Sequence, residues 1–118
     1  MSEDTIQSEQ FKPWLQAYNP AVPASLEPYP ETTLLDVVRR AAAERPDHKI
    51  LIFKGRQISL SEFVHSIDAF GAALAEMGVR KGDRVALLLP NTPPSMIGQF
   101  GAWAIGAIAA PMNPMYTP

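Results

Sequence analysis

The sequence predicts an α/β fold, and three features carry that prediction. Two runs place apolar residues at helical intervals and open on capping-box pairs, a short pair of β segments hinges on a glycine, and an unbroken aliphatic strand leads through a proline into a further helix. The expected order is helix, hairpin, helix, strand, helix, strand. Its last three members form a βαβ unit, whose crossover between parallel strands should be right-handed. An extended N-terminal arm precedes them. With 118 residues, 47% of them hydrophobic and 19% charged, a domain of this size buries roughly two-thirds of its unfolded surface.

The arm comes first. Pro13, Pro20, Pro23, Pro28 and Pro30 all precede residue 31, and so many fixed φ angles and missing N–H donors exclude a long helix. Trp14, Leu15, Tyr18, Val22 and Leu26 are the residues able to dock it. Two readings stand: a loose leader, or a segment held against the body or a second subunit through its aromatics.

From Thr32 the pattern is regular. In "TTLLDVVRRAAAERPD", Thr33 and Asp36 have capping-box spacing, Leu34, Val37, Val38, Ala41 and Ala42 recur at helical intervals, and Pro46 ends the run. "KILIFKGRQIS" reads as strands Ile50 to Phe53 and Gln57 to Ser59, joined through Lys54, Gly55 and Arg56, with the glycine supplying positive φ. Ser59 and Glu62 form a second capping box. The long helix behind it buries Leu60, Phe63, Val64, Ile67, Phe70, Gly71 and Leu74 and closes at Gly78.

After the turn at Lys81, Gly82 and Asp83, the run Val85 to Leu89 is continuously aliphatic, which predicts a strand covered on both faces. Pro90 ends it. Thr92 is placed to cap, and Pro93 suits a first helical position because its missing N–H has no partner to lose there. The helix from Pro93 to about Ile105 sets Met96, Ile97, Phe100 and Trp103 on one side and small residues at Gly98, Gly101 and Ala102. Glycine costs about 1 kcal/mol in a helix, so these positions predict close approach of another element. Gly106 closes the helix, and Ala107 to Ala110 forms the last strand, ended by Pro111.

Composition bounds the function. A net charge of −2 provides no basic stripe for phosphate backbones and argues against nucleic acid as a partner. The absence of cysteine excludes disulfides, thiolate metal sites and cysteine nucleophiles, and fits a reducing compartment. "MSEDTIQSEQ" is acidic and polar where a secretory signal is basic and then apolar. The most apolar run, Met96 to Met112, is broken by Gln99, Gly106 and Pro111 and is shorter than the ~20 residues a spanning helix needs, so no membrane span is expected.

Strand ends that meet helix N-termini are where open α/β sheets hold ligands. A phosphate cradle there needs glycines whose backbone N–H groups face the anion. The turn after Leu89 has two consecutive prolines and no glycine. This stretch therefore reads as scaffold, and a small nucleotide-binding domain is the weaker reading. His65 shares a helix face with Glu62 and Asp68, a pattern of local ion pairs before one of metal ligation. His48 follows Asp47 in a connection. Ser59, Ser61 and Ser95 fit helix starts and have no histidine partner for a hydrolase triad. Lys81 and Arg84 flank Asp83 in a solvated turn. Asn113 and Tyr116 fall near a sheet's C-terminal edge, where they either line a cleft or belong to a structural loop.

With these residues in view, the chain resembles the beginning of an adenylate-forming (AMP-binding) enzyme, the superfamily of acyl-CoA synthetases, luciferases and peptide-synthetase adenylation domains. The pieces that match are "SLSEF", "GVRKGDRVALLLPNTPP" and "GAWAIGAIAAPMNPMYTP", with the spacings between them, and "PWLQAYNPAVPASL" from Pro13 to Leu26 is similar to the leader of long-chain fatty-acid–CoA ligases. The resemblance implies a partial N-terminal subdomain of that fold, with residues 1–31 as the arm and 32–118 as a truncated start of the large N-terminal AMP-binding domain. It implies a parent enzyme that uses ATP, Mg2+ and CoA on a fatty acid, with cytoplasmic location, extending to the inner membrane face.

The family's phosphate loop, rich in Ser, Thr and Gly and ending in lysine, has no counterpart here, nor do its Thr-Glu magnesium motif, its ribose-binding Asp or its C-terminal catalytic Lys. No catalytic, cofactor-binding or metal residue is therefore assigned, and the chain alone is expected to bind no cofactor and be inactive. The matching positions are framework: Gly82, Asp83, Pro90, Asn91, Gly106, Pro111, Asn113 and Pro114. Two departures are small: the family often has an acidic residue near Ser95 and an aromatic where Leu60 stands. The expected partners are the remainder of the same enzyme and a second copy bound through the arm. The alternative is a stand-alone α/β interaction module docking through that arm.

Overall fold

The structure is a computed structural model that describes residues 12–115. It falls into two units, one up to Glu31 and one from Thr32 onward. In the first, Pro13–Ala17 forms a short 3₁₀ turn rather than purely extended chain, with proline at its start and the Tyr18 N–H donating to the Leu15 carbonyl at 3.2 Å. Trp14, 54% exposed, and Tyr18, 46% exposed, stand out from it.

The second unit runs α1 (Leu34–Glu44), β1 (Lys49–Phe53), β2 (Arg56–Ser59), α2 (Leu60–Glu76), β3 (Arg84–Leu88), α3 (Pro93–Ala104) and β4 (Ile108–Met112). β1 and β2 pair antiparallel, and β3 and β4 pair parallel, giving two separate two-stranded sheets. Both expected capping boxes form. Thr33 Oγ1 accepts from the Asp36 N–H at 3.1 Å, Ser59 Oγ accepts from the Glu62 N–H at 3.2 Å, and each carboxylate reaches back to its cap's N–H. Each such cap is worth about 1 kcal/mol.

Several expectations are corrected in detail. Leu34 and Val37 face outward, and Leu35, outside the expected stripe, meets the core beside the expected Val38. Two overlapping 3–4 spacings run along α1, and only packing selects between them. The hairpin turn contains two residues, with Lys54 at φ 47° and Gly55 at φ 81°, so Arg56 belongs to β2. Lys54 adopts the left-handed region because a two-residue hairpin turn that matches strand twist needs positive φ at both positions. Among the described residues β3 is covered on one face only: Leu87 is buried while Leu88 is 61% exposed. β4 runs on through Pro111, paired opposite Leu87. Proline is tolerated because β4 lies at the edge of its sheet, where the missing N–H breaks no second ladder.

The core is two clusters. Ile58, Phe63 and Ile67 gather Leu35, Val38, Ile50, Leu51, Ile97 and Phe100, while Leu74, Ala102 and Ala107 gather Phe70, Val79, Val85, Ile105 and Ala109. Phe63 meets Phe100 edge-on at 5.6 Å, and Phe100 meets Trp103 at 5.1 Å. α2 and α3 bind the two clusters together. A Cβ on Gly71 would lie 3.1 Å from the Gly101 carbonyl oxygen, and one on Gly101 would lie 2.7 Å from Phe70 Cδ1 and 3.2 Å from the Ile67 carbonyl oxygen. The glycines of α3 therefore mark close approach of other elements, as expected: the backbone and Phe70 of α2 at Gly101, and the Leu87 side chain of β3 at Gly98. Among the described residues no helix is long and apolar enough to cross a membrane.

Gly101→Val should lower stability by about 1–3 kcal/mol, the usual cost of overpacking a filled core. The midpoint of urea unfolding followed by helical circular dichroism measures it; an unchanged midpoint would mean that the two helices do not approach as closely as described.

Candidate functional site

The parallel sheet sets the place to look. β3 and β4 end side by side, and Leu89–Asn91 beyond β3, with the last two residues of β4 and the Asn113–Met115 segment that follows, line a half-open crevice of about 550 Å3 at the sheet's C-terminal edge. That is where α/β sheets hold ligands. The register Leu88 opposite Met112 brings the two exits together, and Pro90, Pro111 and Pro114 stiffen the rim.

Its chemistry is sparse. Among the described residues the lining contains no charged side chain, and its side-chain polar groups are those of Asn91 and Asn113. Asn113 Oδ1 accepts from the Met115 N–H at 2.9 Å and so closes its own loop. At the adjoining start of α3, Thr92 stands at the N-cap as expected, and its N–H donates to the Ser95 hydroxyl at 3.4 Å. Its hydroxyl donates to the Pro90 carbonyl at 3.2 Å, while the Ser95 hydroxyl donates to the Thr92 carbonyl at 2.7 Å. Pro93 and Pro94 carry no N–H. A helix N-terminus binds anions through its first N–H groups, so this one lacks two of its donors. Among the described residues, the crevice offers a triphosphate no cationic side chain and a magnesium ion no carboxylate.

The other residues singled out in the sequence lie apart from it. His48 is exposed in the α1–β1 connection, where its carbonyl accepts from the Leu60 N–H at 2.9 Å. On α2, His65 is exposed, Asp68 pairs with Arg39 of α1 at 2.6 Å, and Glu62 serves its cap with Lys49 at 3.9 Å. The three do not converge. Ser59 and Ser61 share a 3.0 Å hydrogen bond at the start of α2. Asp83 Oδ2 accepts from the Arg80 N–H at 2.7 Å, and Arg84 donates to the Gly82 carbonyl at 3.2 Å, so the charged turn is locally self-contained. Tyr116 lies outside the described residues. Asn91 and Met115 line the crevice without having been singled out as cleft residues; Asn91's place beside a proline at a strand end was the available signal.

Two carboxyls are held below their usual range. For Glu62 the main cause is the hydrogen bond from the Ser59 N–H, then the Ser59 hydroxyl; for Asp36 it is the Thr33 hydroxyl, then the Thr33 N–H. Both act in capping, not chemistry.

Comparison with known proteins decides the family. The AMP-binding enzyme family matches residues 38–118. The chain belongs to it. A long-chain-fatty-acid–CoA ligase of Bacillus subtilis is 36% identical over 106 residues, 90% of this chain and 19% of the relative, and one of Yersinia pestis is 35% identical over 91% of this chain and 19% of the relative. The chain thus spans about a fifth of the length of these AMP-binding relatives. The N-terminal subdomain of Klebsiella oxytoca NpsA superposes with a TM-score of 0.71 at 28% identity, over 75% of this chain and 23% of that one. The fold is therefore part of the N-terminal subdomain of adenylation enzymes. Nothing in these matches supports a stand-alone interaction module.

A carboxylate whose folded pKa is depressed adds stability above its unfolded pKa and loses it as pH falls through the folded value. Stability of this AMP-binding chain should therefore decline on acidification from about pH 5 to below pH 4. The Asp36→Asn, Glu62→Gln pair should be less stable at pH 7 and show a smaller decline, as measured by urea unfolding at each pH. An identical slope in both proteins would remove the capping carboxylates from the account. In calorimetric titration with MgATP the chain should show no saturable heat, whereas micromolar saturation would contradict the crevice chemistry described above.

Proposed function

We propose that this chain is the N-terminal, framework-forming portion of a long-chain fatty-acid–CoA ligase. The whole enzyme joins a fatty-acid carboxylate to the α-phosphate of ATP with loss of pyrophosphate, assisted by Mg2+, and then transfers the acyl group from AMP to the thiol of CoA. The observation that carries this reading is the reach of the match to the fatty-acid–CoA ligases. At 106 residues it is longer than the unit from Thr32 to Pro118, so it extends into the proline-rich arm. By contrast, pyochelin synthetase PchE of Pseudomonas aeruginosa matches over 61% of this chain. The arm therefore favours the fatty-acid branch over the broader family.

On this reading residues 1–31 are the arm, and 32–118 begin the large AMP-binding domain. Their work is to wall the site and to fix the strand exits. The groups that grip phosphate, ribose and metal belong to other segments of the enzyme. The protein works in the cytoplasm and meets its acyl substrate at the inner membrane face. Exposed Trp14 and Tyr18 make the arm a contact between two copies of the enzyme, since large aromatics contribute most where they become buried at an interface.

The full-length protein carrying this segment should form acyl-CoA from a long-chain fatty acid, ATP, Mg2+ and CoA, and the 118-residue chain alone should release no pyrophosphate above blank. Turnover by the short chain would contradict the framework role; a full-length protein that adenylates only amino or aromatic acids would contradict the substrate class. Removing residues 1–31 from the full-length protein should convert a dimer to a monomer in light scattering, and an unchanged mass would exclude the arm as the contact.

A further inference from the structure

We draw no further inference here: the strongest candidate, the half-open cavity of about 510 Å3 between the β1–β2 hairpin, α2 and the start of α3, has apolar walls at Phe53, Ile58 and Ile97 but charges of both signs at Arg56 and Glu62, and nothing in the structure shows what covers it.

Discussion

The close approach of α2 and α3 is the constraint on which the rest of this unit depends. Gly71 and Gly101 let the two backbones come within a distance that a methyl group would obstruct. Because α2 contributes Phe63 and Ile67 to one cluster and Leu74 to the other, and α3 contributes Phe100 to the first and Ala102 to the second, this contact joins both halves of the core. The hairpin then packs through Ile58. The parallel sheet packs through Leu87, whose Cδ2 lies 3.0 Å from where a Gly98 Cβ would be. Each glycine gives up about 1 kcal/mol of helix propensity, a cost recovered where dense packing replaces water along the whole contact.

Features governed by neighbours in sequence were legible before the fold was known. Thr33 with Asp36, and Ser59 with Glu62, specify their capping boxes within four residues, and both form. The stripe Leu60, Phe63, Ile67, Gly71 and Leu74 was readable because a long helix samples the period many times. Where a partner decides, sequence was insufficient. α1 offers Leu34 or Leu35 to the core, and only the position of α2 chooses. The aliphatic run of β3 implied two covered faces, yet a covering layer requires another element, and among the described residues one face of β3 has none. The Thr92 hydroxyl donates to the carbonyl of Pro90, two residues back, a bond that the spacing of Thr92 and Ser95 does not announce.

The candidate site was legible mainly through composition. Consecutive prolines and no glycine after β3 already indicated a rim without anion donors, and the geometry accounts for it: Asn113 is committed to its own loop and the hydroxyls of Thr92 and Ser95 to local carbonyls. A rigid, charge-poor rim suits a wall. Membership of the AMP-binding family and the chemical poverty of the crevice are compatible, since the chain spans about a fifth of the length of its relatives. Asp83 and Arg84 are likewise committed locally, since their charged groups hydrogen-bond within the turn.

Hydrogen exchange resolved by residue tests the helix contact most directly, because it reports which amides open only with the whole unit. The slowest amides should be those of Phe63 to Leu74 and of Phe100 to Ala104, exchanging with one common opening free energy, with β1, β2 and α1 faster. If α3 exchanged early while α2 and the hairpin stayed protected, the contact at Gly71 and Gly101 would not be what holds this fold together.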